Sequence, residues 1–371
     1  DWGGSFGTRY SISSFVSGAV YSNQYFNDAL HLERDYYYSQ GQNISTSDYG
    51  YLNTEKFRGE GWYWSKIGNT QTLSDTFSTS FLYNVPQTSS VKIFGYPVTR
   101  NTTVLNEHSL VVKINGTTIA TILSNDFNKV DTVINFSSSL LSSASVNTVS
   151  VTYGYIPNAT YPTGYMNLDF IEIQYPKIFK FRNEQLSAIT GVVDTTSKLF
   201  SVSGFNSSNP VNIYDIANNY KITGISNILD TLKFTGKSSG NFKIINNNIT
   251  KKPFRIKQKL VPDLTSASNG ADYLVIYNKL FLSQAEQLRA YRQSKDSFRS
   301  VKAEIEDIYD IFNFGIENPI AVRNFTIYVY NNWQLPKLGY ICLMGRGSLD
   351  PKKNLSTSAY CNNYIPVYGC P

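Results

Sequence analysis

Three cysteines, two histidines and two methionines are spread over 371 residues. Three thiols cannot build a disulfide framework for a chain of this length, and no Cys-x-x-Cys pair or Cys/His cluster has the spacing of a zinc site. Any imidazole chemistry must use His31 or His108. The Gly-x-Ser-x-Gly elbow of hydrolases, the His-Glu-x-x-His of zinc peptidases and the phosphate-binding loop are all missing. No metal or cofactor is therefore expected. Charge is scarce as well, at 16% of residues, against roughly a quarter in ordinary globular chains. No apolar run approaches the roughly 18–20 residues that cross a bilayer, so the chain is expected to be soluble, with no transmembrane segment. Asp1-Trp-Gly-Gly-Ser-Phe6 lacks the basic and apolar regions of a signal peptide, so a leader is expected to be missing or removed.

Aromatic residues are abundant: 28 Tyr and 22 Phe bring the share of Phe, Trp and Tyr to 15%, a balance that favours strands. The net charge of +6 is uneven: residues 1–250 hold 17 basic and 17 acidic residues, residues 251–371 hold 16 and 10. A surface of Asn, Ser and Tyr with few charges suits a surface-exposed or secreted β protein and argues against a cytosolic nucleic-acid binder. The basic run Lys251–Lys259 alternates with Phe254, Ile256 and Gln258, as a strand with one solvated cationic face would, so no nucleic acid is expected as a partner.

Residues 1–70 form an irregular, aromatic-rich lead-in with the patches His31–Asp35 and Phe57–Trp64. Residues 71–180 break into short alternating segments, among them Ser90–Phe94, Ser109–Lys113 and Asn147–Thr152, which predict an antiparallel β-sandwich of jelly-roll type. Asn115-Gly116 sits between two such segments and accepts the positive φ of a tight hairpin. Asn167–Gln174 reads as the last strand of the sandwich. Asp169 and Glu172 stand three apart on it, hence on opposite faces, which excludes a paired acid–base role. Residues 181–265 continue as a second β-rich segment, with strands at Lys198–Val202, Lys221–Ile225 and Asn241–Ile245.

Over 266–371 the pattern changes to α/β. Asp272–Tyr277 is an apolar strand; Ser283 and Glu286 have capping-box spacing at a helix carrying Leu282, Ala285, Leu288 and Tyr291. Ser300–Glu306 reads as a second strand. Asn318-Pro319 opens another helix, with Ala321, Phe325, Tyr328, Val329 and Asn332 on one face. Gly339–Met344 is a third strand, in which Cys342 reads as a buried small hydrophobe. Alternating strands and helices demand a parallel sheet, and three strands with an open edge are seldom a whole domain. Gly345-Arg-Gly-Ser348 follows the third strand, where ligands collect in open α/β sheets, though Gly-x-Gly also marks an ordinary turn. Cys361 and Cys370 are close enough in sequence to be bridged in an oxidising compartment.

Taken in order, Ala271–Tyr277, Leu282–Arg292, Val301–Tyr309, Asn318–Arg323, Ile341–Asp350 and Asn363–Tyr368 resemble the opening half of a gingipain-type C25 cysteine peptidase domain. His31–Asp35, the Trp-Tyr patch at 62–64, Leu168–Tyr175, Ile213–Ile216 and Arg255–Leu260 resemble the β-rich region that precedes it in the sortase-like members of the type IX secretion system of Bacteroidota. The resemblance implies a caspase-like fold whose second subdomain supplies the catalytic His and Cys. It further implies removal of C-terminal sorting signals from secreted cargo proteins and transfer of the cargo to surface lipopolysaccharide. The implied setting is the outer face of the outer membrane, beside an outer-membrane β-barrel partner. No His or Cys of this sequence matches the family's dyad, so no catalytic residue is carried over and the chain by itself is expected to be inert. Arg346 stands where the family usually has Asp, which puts a metal or substrate role of that turn in doubt. The alternative is a non-catalytic surface adhesion module whose β-sandwich binds glycan or protein.

Overall fold

A computed structural model describes residues 10–14, 19–21, 24–38, 62–181, 185–190, 196–205, 210–249, 251, 254, 258–348, 350, 352–354 and 362–366. The N-terminal residues 1–6, most of the patch at 57–64, most of the basic run 251–259 and the pair Cys361/Cys370 lie outside the described residues. The chain divides into two compact units, Asp1–Phe254 and Arg255–Pro371.

The first unit is built on the sandwich. Its strands are β1 (Tyr25–Glu33), β2 (Ser65–Gly68), β3 (Thr72–Phe77), β4 (Thr88–Pro97), β5 (His108–Ile114), β6 (Thr117–Ser124), β7 (Val130–Ser137), β8 (Asn147–Tyr155) and β9 (Tyr165–Ile178). One sheet runs β7-β4-β9-β1 with β2 also on β9, the other β3-β8-β5-β6, and all these pairs are antiparallel. Strict alternation turns Val91, Ile93, Leu110, Val112, Val149, Val151, Ile171 and Ile173 into one core, each fully buried. The β5–β6 hairpin closes on Asn115 and Gly116 at φ 48° and 82°, the left-handed pair such a turn needs.

Strand β9 corrects one expectation. It occupies the middle of its sheet, between β4 and β1, and its register on β4 shifts between Leu168 and Phe170. That bulge inserts one residue and cancels the parity that would put Asp169 and Glu172 on opposite faces. Both serve the outer face. Glu172 lies opposite Lys92 with one oxygen 3.9 Å from His31, while Asp169 and Asp131, after burial, push the Tyr96 phenol up to about 12. Each carboxylate has its own neighbours, and they share no acid–base task.

The rest of the first unit holds β10 (Gln185–Ile189), β11 (Ser197–Val202), β12 (Val211–Asp215), β13 (Tyr220–Ile222), β14 (Ser226–Ile228), β15 (Thr231–Lys237) and β16 (Asn241–Asn246). The strands Ser11–Ser13, β13, β12, β16 and β10 make one sheet and β11, β15 and β14 another, around a core rich in phenylalanine. Phe200 and Phe234 stack at 5.3 Å, and Phe242 meets both edge-on.

In the second unit β17 (Tyr273–Tyr277), α1 (Leu282–Asp296), β18 (Ser300–Glu304), α2 (Ile305–Phe312), α3 (Pro319–Asn332) and β19 (Tyr340–Met344) follow one another, and the sheet order β18-β17-β19 is parallel throughout. Every residue of central β17 is buried. Helix α1 packs on the Tyr273/Val275/Tyr277 face through Ala285 and Leu288, and α2 and α3 cover the Leu274/Ile276 face.

Three details differ from the sequence-based expectation. The capping box does not form: Ser283 Oγ accepts from Gln287, and Glu286 holds Arg289 and Lys302. A single turn at Lys279–Phe281, capped by Asn278, runs straight into α1 and moves its effective start upstream of Ser283. The second strand ends at Glu304 and α2 takes over, a helix that the sequence pattern does not announce. Cys342 is half-buried, because β19 is an edge strand with Tyr340, Ile341 and Leu343 exposed. Asn318 caps α3 through Ile320 N as expected, and Ala321, Phe325 and Val329 are buried, while Asn332 is exposed.

Candidate functional site

The carboxyl ends of the parallel strands are where an open α/β sheet gathers ligands. Three segments meet there in the second unit: Asn278 after β17, Glu304 closing β18, and Gly345–Ser348 after β19. Gly345 has φ 143°, and a Cβ there would stand 2.8 Å from Tyr364 Cβ and 3.2 Å from Ile365 Cγ1. Glycine is required because the segment 362–366 crosses directly over the turn. Tyr364 and Ile365 donate their backbone N–H to the Arg346 carbonyl at 2.9 and 3.3 Å, and Ser348 N donates to Asn363 Oδ1 at 3.0 Å. Asn363 in turn donates to Glu317 at 2.6 Å. Ser348 Oγ accepts from Asp350 N, and Asp350 Oδ1 accepts from Asn354 N. The Gly-x-Gly turn is thus a cross-tied corner whose polar groups are largely used in holding the chain.

Beside it four carboxylates, Glu304, Glu306, Asp307 and Asp310, share two lysines. Lys259 Nζ lies 2.8 Å from Asp307 and 2.6 Å from Asp310, and Lys279 lies 2.6 Å from Glu306. Burial opposes the charge on Lys259, yet its two carboxylate partners raise its pKa. Glu304 is pushed above the usual carboxylate range by burial first and by Asp307 and Glu306 next. A folded-state value above the unfolded one means that stability falls as pH rises from the unfolded value through the folded one. Glu304→Gln is therefore expected to raise the melting temperature at pH 7 and to leave it unchanged near pH 3. Scanning calorimetry at both pH values checks this, and an equal gain at both would remove the electrostatic explanation.

Neither histidine belongs to this corner; both lie in the first unit. His31 is 47% exposed at its side chain, with Nε2 2.8 Å from Glu33 and its ring on Phe170. His108 is fully buried, with Nδ1 2.8 Å from the Tyr153 hydroxyl and Nε2 3.0 Å from the Asp126 carbonyl. Burial lowers its pKa, so the imidazole stays neutral. Cys342 faces α1 beside Tyr273 and Met344 in the second unit. No histidine–thiol pair is assembled among the described residues, and none of their His, Cys, Asp and Glu side chains cluster in threes or more as metal ligands. Sequence reasoning misses the outer face of the sandwich sheet, where Phe94 and Phe170 stack at 5.0 Å and 10° with His31 at 4.7 Å from Phe170. The bulge at Asp169 helps set that row, and no sequence signal announces it.

Residues 266–371 match the model of Peptidase family C25. No curated protein matches the chain. Among solved structures, dimeric latent PorU from Porphyromonas gingivalis superimposes with a TM-score of 0.67 at 13% identity, over 93% of this chain and 32% of its own. A β-glucuronidase from Bacteroides uniformis aligns over 60% of this chain and 27% of its own at 11% identity, with a TM-score of 0.21, too low to imply a common fold. The chain spans about a third of the PorU chain it resembles. Residues 266–371 thus resemble peptidase family C25, and the chain shares its fold with the matched third of PorU.

Proposed function

We propose that this chain is the non-catalytic front portion of a PorU-like cysteine peptidase of the bacterial cell surface. In this reading the whole protein acts as a sortase: it removes C-terminal sorting signals from type IX secreted cargo and attaches the cargo to lipopolysaccharide, next to an outer-membrane β-barrel partner. The thiol and imidazole come from outside the 371 residues. The observation that carries the reading is the state of β19. Parallel sheets have both faces covered. Yet Ile341 and Leu343, which share a face with fully buried Leu274 and Ile276, are each 46% exposed, because α2 and α3 stop short of them. Among the described residues no strand pairs the free edge of β19, and a groove of about 240 Å³ runs between Ile327 and Tyr330 of α3 and Leu338 and Ile341. An apolar edge strand of this kind is a surface that a further layer would cover.

Hydrogen exchange tests it. In the protein as encoded by its gene, amides of 340–344 are expected to exchange at least about tenfold more slowly than in the 371-residue chain, and a thiol-directed probe is expected to label a cysteine other than Cys342, Cys361 and Cys370. Equally fast exchange in both forms, with no reactive thiol besides those three, would remove the peptidase reading. It would favour a binding module that uses the Phe94–Phe170–His31 face for glycan or protein.

A further inference from the structure

One end of the sandwich buries an oxygen of each of two carboxylates that the peptidase reading does not use. Glu107, immediately before β5, is 2% exposed. Its Oε1 accepts the backbone N–H of Asn101 at 3.3 Å and of Asp126 at 2.5 Å, while its Oε2 is buried with no hydrogen-bond partner. Asp126, held in the left-handed region at φ 56°, buries its own Oδ1 equally without a partner. These are the only carboxylate oxygens so placed among the described residues, and they belong to residues joined by the hydrogen bond from the Asp126 backbone N–H to Glu107 Oε1.

Nothing in the described residues neutralises them. Neither carboxylate pairs with a lysine or arginine there, and the Arg100 guanidinium lies over the Phe127 ring at 5.2 Å. His108 Nε2 is 3.6 Å from Glu107 Oε1, but that nitrogen donates to the Asp126 carbonyl and the other meets the Tyr153 hydroxyl. A carboxylate oxygen buried without a partner is costly, and a second one on the adjoining loop adds repulsion. A hard divalent cation removes both costs, since it cancels two negative charges and takes oxygen donors in irregular geometry.

We infer that Glu107 and Asp126 bind a calcium ion that ties the loop at 99–107 to the loop at 125–128 at one end of the sandwich. Oxygen donors of the same loops and water complete its coordination. Magnesium suits the position poorly, because it demands a strict octahedron and gives up water reluctantly.

Calorimetry on the 371-residue chain decides. After EDTA treatment and dialysis, titration with CaCl2 is expected to show a single site. Calcium is expected to raise the melting temperature of the first unit by roughly 5 °C, with magnesium producing no comparable rise. Glu107→Gln keeps the shape and is expected to weaken binding about tenfold or more and to abolish the rise. Asp126→Asn, at a half-buried position, gives the same reading should the first variant fail to fold. Three results would overturn the site: no calcium binding by the wild-type chain at millimolar concentration, unchanged binding by both variants, or Glu107→Gln melting above the wild type with and without calcium. The last would mean that the charge is simply uncompensated.

Discussion

Phe325→Ala is expected to cost the second unit about 3–5 kcal/mol, a large share of the usual 5–15 kcal/mol stability of a domain. Phe325 is fully buried at the middle of α3, with its ring 5.2 Å from Phe312 of α2 and 6.1 Å from Trp333. Through it α2, α3 and the Leu274/Ile276 face of the sheet form one cluster, and its removal leaves a void that three elements would have to close together. Trp333 is the one tryptophan of residues 255–371 and donates its Nε1–H to the Leu264 carbonyl at 3.0 Å. Its indole N–H resonance, followed by NMR in urea, therefore reports this unit separately from Trp2, Trp62 and Trp64 of the first. Phe325→Leu retains most of the apolar volume and is expected to lose less than half as much. A loss under about 1 kcal/mol for the alanine variant would mean that α3 does not pack as described.

The spacing of Ala321, Phe325 and Val329 makes that face legible in the sequence, because a helix repeats its buried side every three to four residues. The same argument explains the failures. Helix α2 carries Ile305, Ile308, Tyr309 and Phe312 at helical spacing, but it begins directly at the end of β18, and no capping side chain or proline separates the two periods. Its first-turn acids Glu306 and Asp307 are the available signal, since they suit the positive end of the helix dipole. Full burial of Cys342 does not follow from its apolar run, because such a run announces burial only when the strand is central; β17 and β19 are both apolar, and position in the sheet separates them. The environments of His108 and Glu107 are unreadable for another reason. Their burial comes from loops nearly twenty residues away, and a polar pair at a strand start carries no pattern that distinguishes it from surface.

The bulge on β9 is equally silent, and it underlies the second large effect. Gly95 of β4 faces Leu168 at the point where the register shifts. A Cβ at residue 95 would stand 2.5 Å from the Asn167 carbonyl oxygen and 3.1 Å from Leu168 Cα, both backbone atoms that cannot rotate away. Gly95→Ala is therefore expected to destabilise the first unit by about 3 kcal/mol, measured by urea unfolding. Gly116→Ala, with no atom within 4 Å of its Cβ, is expected to cost only the roughly 1 kcal/mol of its positive φ. The two strands can relieve the clash only by separating or by moving the bulge. Either response opens Tyr96 to water and displaces Asp169, and so lowers a phenol that burial first and Asp169 next push up to about 12. Ultraviolet titration of the variant would register that fall. A variant as stable as the wild type, with its tyrosines unchanged, would show that β4 and β9 do not approach so closely. The outer-face arrangement of Asp169 and Glu172 would then have to be abandoned along with the bulge.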